Sequence, residues 1–247
     1  MIELKSKREI EIMKENGKIL ADTLRFLGSK MRPGMTTLEL DRLAEKFIRD
    51  HKAVPAFKGY RGFPSNICVS IDNEVVHGIP GQRIISEGQL ISIDLGVLKN
   101  GYYADAASTF PLGEVGSEAQ KLIEVTSRAL NRGIDAAVEG KNLSDISHAI
   151  QSCVEEKGLS VVRDLVGHGI GKQMHEEPQI PNFGKPGEGP VLKNGMVLAI
   201  EPMVNLGSFE IKTLDDNWTV VTADGSLSAH FEHTIAITEN GALILTT

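Results

Sequence analysis

Four acidic side chains stand beside apolar, strand-forming segments of the sequence. Asp94 ends the run LISID, and Asp105 follows in YADAAS. Glu201 comes after MVLAI, and Glu232 precedes another β-branched segment. Carboxylates that converge in an apolar interior repel one another, so they must be protonated, paired with cations or bound to metal ions.

The acids have few basic partners nearby in the sequence. Lys121 is the only lysine or arginine between Asn100 and Ser127. Converging carboxylates without basic partners indicate a site for hard cations, and bridging carboxylates favour two divalent ions. One imidazole among oxygen ligands shifts the preference from calcium towards manganese, iron, cobalt or zinc. His168 is our candidate, because the glycines on both sides let the backbone pass close to a crowded centre.

Other chemistries find little support in the sequence. No GxSxG motif points to a serine hydrolase, and Gly167–Lys172 lacks the spacing of a phosphate-binding loop. The remaining histidines without acidic, strand-forming neighbours are interpreted as ordinary surface or structural residues; they are His51, His148 and His230.

The elements that must position these side chains follow from the spacing of apolar residues. Alternating, β-branched segments predict strands at Asn66–Ile71, Gln89–Val97, Met196–Ile200 and Phe231–Thr238. Helical spacing and a Thr36/Glu39 capping box predict helices at Lys7–Met31, from Thr36 onwards, at Ser117 to about Glu139, and at Ser144–Lys157. The alternation predicts an α+β chain with a mixed or antiparallel sheet.

The turn between the strands of Asp94 and Asp105 leaves two registers open. A tight turn at the Asn-Gly dipeptide 100–101 would pair Asp105 with Gly96 and leave Asp94 one diagonal away. A slightly longer loop over residues 98–101 would put the two acids directly opposite. In either register the two carboxylates share one face of the sheet.

Several segments repeat along the chain. EGQLISID at 87–94 and NGMVLAIE at 194–201 share a glycine, an apolar strand and an acid, at an offset of 201 − 94 = 107. Gly34 and Gly140 each precede a helix, at an offset of 140 − 34 = 106, whereas EVVHGIP and LVGHGIG differ by 168 − 77 = 91. Two near-equal offsets favour a duplication, although the pattern of glycine, strand and acid is common. We expect residues 1–247 to form one catalytic domain built from two related halves.

Composition excludes further classes. The 26 basic and 33 acidic residues give a net charge of −7, which removes the usual electrostatic case for a nucleic-acid binder. Cys68 and Cys153 cannot form a disulfide framework, so a reducing compartment fits best. The amino terminus lacks an apolar signal region, and no stretch approaches a membrane span. We expect a cytoplasmic protein without membrane or specific nucleic-acid partners.

Six segments together resemble the type I methionine aminopeptidases in their minimal bacterial form, across essentially the whole chain. They are VVHGIP around His77, SIDLG around Asp94, YADAAST around Asp105, GHGIG around His168, IEP at Glu201 and FEHT around Glu232. The resemblance implies the pseudo-twofold pita-bread fold, an α+β arrangement of a central antiparallel or mixed sheet flanked by helices. It also implies an enzyme that removes the initiator methionine of nascent proteins, prefers a small second residue and uses a hydroxide bridging two metal ions.

The resemblance further implies a role for each ligand. Asp105 and Glu232 would bridge two divalent ions, which could be cobalt, manganese, iron or zinc. His168 and Glu201 would complete one site, and Asp94 would chelate the other. Glu201 would also shuttle protons. The enzyme would act as a monomer that contacts the ribosome transiently.

The substrate site is likewise implied by resemblance. His175 would donate to the developing oxyanion, and His77 would contact the scissile amide or the substrate backbone. The positions that match the family's methionine pocket are Phe57, Tyr60, Phe63, Cys68, Met174 and Trp218. Aromatic and sulfur groups suit a thioether, although plain core packing is the alternative for each. Phe57 and Phe63 stand where some relatives carry Cys and Tyr, so the resemblance implies the apolar character of the pocket but not its fine shape.

Two alternatives share the metal constellation or the fold. Prolidases and Xaa-Pro aminopeptidases usually carry a further amino-terminal domain, for which residues 1–60 leave no room. A non-catalytic binding module on the same fold would be expected to lose ligands and gain basic surface. This chain keeps all five ligands and carries a negative net charge, which favours the aminopeptidase.

Overall fold

The computed structural model describes residues 2–247. The helices are α1 (Lys7–Lys30), α2 (Thr37–Asp50), α3 (Ser117–Ala136) and α4 (Leu143–Glu155), with a short 3-10 helix at Tyr60–Gly62. The first strands are β1 (Val54–Pro55), β2 (Cys68–Ile71), β3 (Glu74–Val76), β4 (Leu90–Lys99) and β5 (Tyr102–Pro111). The later strands are β6 (Ser160–Val161), β7 (Val166–Gly169), β8 (Glu176–Pro181), β9 (Val197–Ile200), β10 (Met203–Asn205), β11 (Ile211–Thr213), β12 (Val220–Thr222), β13 (Ser228–His230), β14 (His233–Thr238) and β15 (Gly241–Ile244).

The four predicted helices form, and their ends differ from the prediction by three residues or fewer. At α2 the predicted capping box is present: the backbone N–H of Glu39 donates to the Thr36 hydroxyl, and the Thr36 N–H donates to the Glu39 carboxylate. These bonds satisfy backbone groups that the first helical turn cannot pair internally. None of the helices within residues 2–247 has the length and apolar character needed to cross a membrane.

The β4–β5 hairpin takes the tighter of the two registers that the sequence allowed. Asn100 and Gly101 both have positive φ, of 52° and 78°, as a two-residue type I′ turn requires. Gly96 therefore pairs with Asp105, and Asp94 lies one diagonal away on the same face. The opposite edge of β4 pairs with β1 and β2.

A five-stranded sheet in the order β15-β14-β9-β7-β8 carries the remaining predicted ligands. His168 on β7 pairs with Ala199 on β9, and His233 on β14 pairs with Ile200 at the other edge of β9. The strands that contain or directly adjoin His168, Glu201 and Glu232 are thus neighbours in this sheet. All paired strands within residues 2–247 are antiparallel.

Hydrogen bonds between β5 and the start of β14 join this sheet to the hairpin. The Asp105 N–H donates to the Thr234 hydroxyl at 3.0 Å, and that hydroxyl donates to the Asp105 carbonyl at 2.7 Å. The Glu232 N–H donates to the Ala107 carbonyl at 2.9 Å. Asp105 and Glu232, which are 232 − 105 = 127 residues apart in the sequence, are therefore held on adjoining segments.

Each half of the chain has its own apolar core beside its strands. In the first half, α1 and α2 enclose a cluster that includes Leu20, Leu40 and Ile93, all fully buried. In the second half, α3 and α4 cover a cluster that includes Leu122 and Ile235. The ligand-bearing strands lie between rigid, closely packed layers, which holds their side chains in place. The proposed duplication of the two halves stays a prediction.

Candidate metal centre and substrate pocket

All the site residues predicted from the sequence border one cavity of about 150 Å³. Asp94 and Asp105 reach it from the hairpin, and His168 reaches it from β7. Glu201 directly follows β9, and Glu232 directly precedes β14. The other bordering residues that we predicted are Phe57, Tyr60, Phe63, Cys68, His77, Met174, His175 and Trp218. Arg61, which no sequence pattern indicated, also borders the cavity.

The donor atoms in this cavity fit a metal centre. Asp105, His168 and Glu232 each offer one ligand atom, and these three atoms lie within 4.8 Å of one another. One buried oxygen on each of Asp94, Asp105 and Glu232 has no hydrogen-bond partner among the described residues. Leaving such a group unsatisfied costs about 1–3 kcal/mol, so these atoms are suited to bind cations.

The histidine of this centre is oriented for ligation. The Nδ1 atom of His168 lies 2.9 Å from the carbonyl oxygen of Gly169. Because a carbonyl only accepts, Nδ1 carries the proton and Nε2 keeps its lone pair free. That free Nε2 lies 3.6 Å from Oε1 of Glu201.

Burial governs the protonation of the four acids. It raises the pKa of both Asp94 and Glu201 to about 7. It also raises the pKa of Asp105 and Glu232 well above the usual range, and the neighbouring carboxylates raise them further. Within residues 2–247, Glu201 is the only one of these acids that forms ion pairs, and its partners are His168 and His230. Without bound cations the centre holds protons near neutral pH, and metal ions would displace them.

Two further histidines border the cavity as neutral groups. The pKa of His175 falls to about 3, mainly because of burial and then because of the neighbouring His168. Burial lowers the pKa of His77 to about 4. The Tyr60 hydroxyl lies 2.7 Å from Nδ1 of His175, and their rings stack with centroids 5.2 Å apart. His77 has a φ of 60°, a conformation that is uncommon outside glycine and often marks functional sites.

An apolar pocket adjoins the acidic centre. Phe57, Phe63, Cys68 and Met174 are buried together. Trp218 packs edge-on against Phe63, with ring centroids 5.1 Å apart. Burial raises the pKa of the Cys68 thiol well above its usual range, so this group is neutral. Since Cys68 pairs directly with Asp94 across β2 and β4, the pocket and the acids share a wall.

Residues 11–239 match the model of Metallopeptidase family M24. The chain belongs to this family. It is 56% identical to "Methionine aminopeptidase" of Clostridium perfringens over 100% of this chain and 99% of the relative. The identity to "Methionine aminopeptidase 1" of Bacillus subtilis is also 56%, with the same coverage. A methionine aminopeptidase structure from Thermotoga maritima has a TM-score of 0.99 and 47% identity, and both chains are covered completely.

These similarities confirm the fold that the sequence motifs implied. The M24 metallopeptidase has the expected pita-bread α+β arrangement, since its whole backbone matches that of a solved family member. The strands are antiparallel in every pair described above, so the sheets within residues 2–247 are antiparallel rather than mixed. The chain is a metal-dependent hydrolase by family.

The sequence motifs did not indicate that His230 lies beside the acids of this M24 site. We interpreted His230 as an ordinary surface or structural residue. The surface alternative is wrong, because the residue is 1% exposed, and its Nε2 lies 3.6 Å from Oε2 of Glu201. Its position two residues before Glu232 was the available signal, since alternate residues of an extended segment share a face. His51 and His148 are exposed, as expected.

Proposed function

We propose that this M24 metallopeptidase removes the N-terminal methionine of peptides and prefers a small second residue. The main observation behind this proposal is the buried apolar pocket that shares a wall with the acidic centre. The pocket is formed by aromatic and sulfur-containing side chains, and its thiol is neutral. Such a lining suits a thioether, because it is polarisable and leaves no polar atom unsatisfied.

The proposed centre holds two divalent ions, either cobalt, manganese, iron or zinc. Asp105 and Glu232 would bridge the ions, His168 and Glu201 would complete one site, and Asp94 would hold the other. Ions held there act as Lewis acids that polarise the scissile carbonyl and make water more acidic. The support for this assignment is the set of buried oxygens without partners and the free Nε2 of His168.

Glu201 is the proposed proton carrier. It would accept a proton from the attacking water and deliver it to the leaving amine as the C–N bond breaks. The position of Glu201 supports this role, because its Oε1 lies 3.6 Å from Nε2 of His168, a proposed ligand of the same ion. Glu201 directly follows β9, whose residues are all buried. This buried strand keeps the proton carrier in a defined place.

The two neutral histidines would hold the substrate. His175 would donate an N–H to the oxygen on which negative charge develops, and the Tyr60 hydroxyl would orient its ring through Nδ1. His77 would contact the scissile amide or the substrate backbone. The low pKa values of both imidazoles support these roles, because neutral donors stay available without a counter-ion.

The size of the cavity supports removal of a single residue. A volume of about 150 Å³ leaves room for little more than one side chain beyond the scissile bond. Asp94 borders this cavity, and it or an ion that it holds would meet the free amino terminus. A longer segment on the amino-terminal side of the scissile bond would have no space.

A peptide competition tests the proposal. Protein purified without oxygen is analysed for metal, stripped and back-titrated with cobalt, manganese, iron or zinc, and then given Met-Ala-Ser and Ala-Pro peptides in parallel. We expect metal-dependent release of methionine from the first peptide and little cleavage of the second. Faster cleavage of Ala-Pro would favour a prolidase and overturn the assignment. Replacing alanine with a bulky second residue should slow methionine release.

We further propose that the enzyme acts in the cytoplasm, as a monomer that contacts the ribosome transiently. Initiator methionine is first accessible on chains leaving the ribosome, so a brief contact there would bring the substrate to the pocket. Sedimentation of the protein alone, and with ribosomes at low salt, tests both statements. A stable dimer, or no ribosome association at any salt concentration, would contradict them.

A further inference from the structure

The backbone of His230 is fixed at the edge of the metal centre. Its N–H donates to the Thr109 hydroxyl at 2.9 Å, and that hydroxyl donates to the His230 carbonyl at 2.8 Å. His230 also pairs with Met203 across β10 and β13. The backbone that carries the ring is therefore held in a defined place by contacts to two neighbouring strands.

The ring nitrogen that faces the centre has no partner. The buried Nε2 of His230 forms no hydrogen bond among the described residues, and it lies 3.6 Å from Oε2 of Glu201. The other carboxylate oxygen, Oε1, lies 3.6 Å from Nε2 of His168. Glu201 is thus placed between two imidazoles, with one ring at each oxygen.

The two rings differ in what they can offer to this carboxylate. The proton of His168 is on Nδ1, where it bonds to the Gly169 carbonyl, so its Nε2 is a lone-pair donor. His230 can instead carry its proton on Nε2. A shortening of the 3.6 Å separation to about 2.9 Å would give a normal N–H···O bond, and it would satisfy the unpartnered nitrogen.

We propose that His230 is a positioning residue for Glu201: it carries its proton on Nε2, donates to Oε2 and thereby turns Oε1 towards His168 and the metal ions. The inference rests on the proposed metallopeptidase centre and adds a residue that the motifs did not assign. Hydrogen bonds of this kind fix the orientation of carboxylate ligands.

The position of the proton can be tested without metal or substrate. Long-range 1H–15N spectra of the stripped protein distinguish the two tautomers of each histidine, and His230→Gln assigns the His230 signals. The spectra are recorded at a pH high enough for the Glu201 carboxyl to be ionised, so that it can accept a hydrogen bond. We expect a proton on Nε2 of His230 and on Nδ1 of His168. An unprotonated Nε2 on His230 would overturn the proposal, because that atom could then only accept a bond or ligate a metal ion.

Metal binding provides the second test. His230→Leu removes the donor, whereas His230→Gln keeps an N–H group, and exposed His148→Gln is the control. We expect His230→Leu to weaken Co²⁺ binding by about 10–100-fold and to change the visible absorption of the Co²⁺ protein. The glutamine variant should retain most of the affinity, and the control should match the original protein. Unchanged binding in His230→Leu, or equal losses in both His230 variants, would contradict a positioning role.

These outcomes are distinguishable from failure of the proposed function. Methionine release from Met-Ala-Ser by the unaltered protein tests the function and does not depend on His230. Circular dichroism and thermal melting of each stripped variant show whether it folds. If His230→Leu does not fold, the tautomer measured in the unaltered protein still decides the proposal.

Discussion

At the scale of single residues, the centre is defined by groups that lack ordinary partners. Asp105 and Glu232 have buried oxygens without hydrogen bonds, and the bond from Nδ1 of His168 to a carbonyl leaves the Nε2 lone pair of the neutral imidazole available. A folded protein rarely leaves several such groups side by side, because each one is costly to desolvate. Cations would satisfy all of them together, so single substitutions here should change metal binding more than folding.

Asp105→Asn tests the bridging assignment. The amide has nearly the same size as the carboxyl but lacks its negative charge. We expect kcat/KM on Met-Ala-Ser to fall by more than about 100-fold, since loss of even an outer partner costs about 10–100-fold. Steady-state kinetics and Co²⁺ titration measure the effect. Asp135→Asn, at an exposed position on α3, removes the same charge as a control, and unchanged turnover in Asp105→Asn would refute the mechanism.

His175→Ala tests the proposed oxyanion donor. Removing such a donor typically lowers kcat by about 100–1,000-fold. We expect a loss in this range, with little change in KM and with Co²⁺ affinity retained, because His175 is not among the proposed ligands. Kinetics and calorimetry on the same preparation separate the two effects. A parallel loss of metal affinity would assign His175 to the metal centre instead.

At the scale of elements, the β4–β5 hairpin sets the relation between two ligands. Its two-residue turn fixes the pairing of Gly96 with Asp105, and a slip by one residue would turn Asp105 to the opposite face. The Asn-Gly turn therefore controls the geometry of the site although it lies at the far end of the hairpin.

Gly101→Ala tests the turn. Gly101 has a φ of 78°, and an added Cβ would meet no atom within 4 Å, so the substitution probes backbone strain alone. We expect the free energy of unfolding in urea to fall by about 1–2 kcal/mol. Gly81→Ala is the matched control, because it also has open space but no positive φ. Equal stabilities for the two variants would argue against a type I′ turn.

At the scale of the whole molecule, the acidic centre couples stability to pH. Asp94 and Glu201 have a pKa of about 7 when folded, against ordinary values of 3.8 and 4.5. Because the folded pKa is the higher one, these groups stabilise the metal-free fold below their ordinary values. That contribution is lost as the pH rises through about 7. With metal bound, stability should instead be retained as the pH rises, because the metal stabilises the ionised carboxylates.

Thermal melting across pH measures this coupling. Between about pH 5 and pH 8, the stripped protein should lose stability relative to the double variant Asp94→Asn, Glu201→Gln, whose neutral amides do not titrate. Saturating Co²⁺ should raise the melting temperature of the unaltered protein most at the higher pH. A stripped protein that gained stability relative to the double variant as pH rose would contradict the raised pKa values.

The sequence by itself determined the local features of this protein. The start of α2 followed from its capping box, and the positions of α1 and of the predicted strands followed from the spacing of apolar residues, because both patterns involve residues only a few positions apart. The six motifs also implied the fold, and the similarity to solved family members confirms it. The types of the site side chains were readable as well, since carboxylates beside apolar strands need an explanation.

Only the tertiary structure decided how distant segments meet. It chose the tight hairpin register, placed Cys68 opposite Asp94, and brought the Tyr60 hydroxyl to His175. It also put His230 beside Glu201. These contacts join residues that are far apart in the chain, and their distances and pKa values depend on packing between the two halves. Spacing along the sequence carries no measure of that packing.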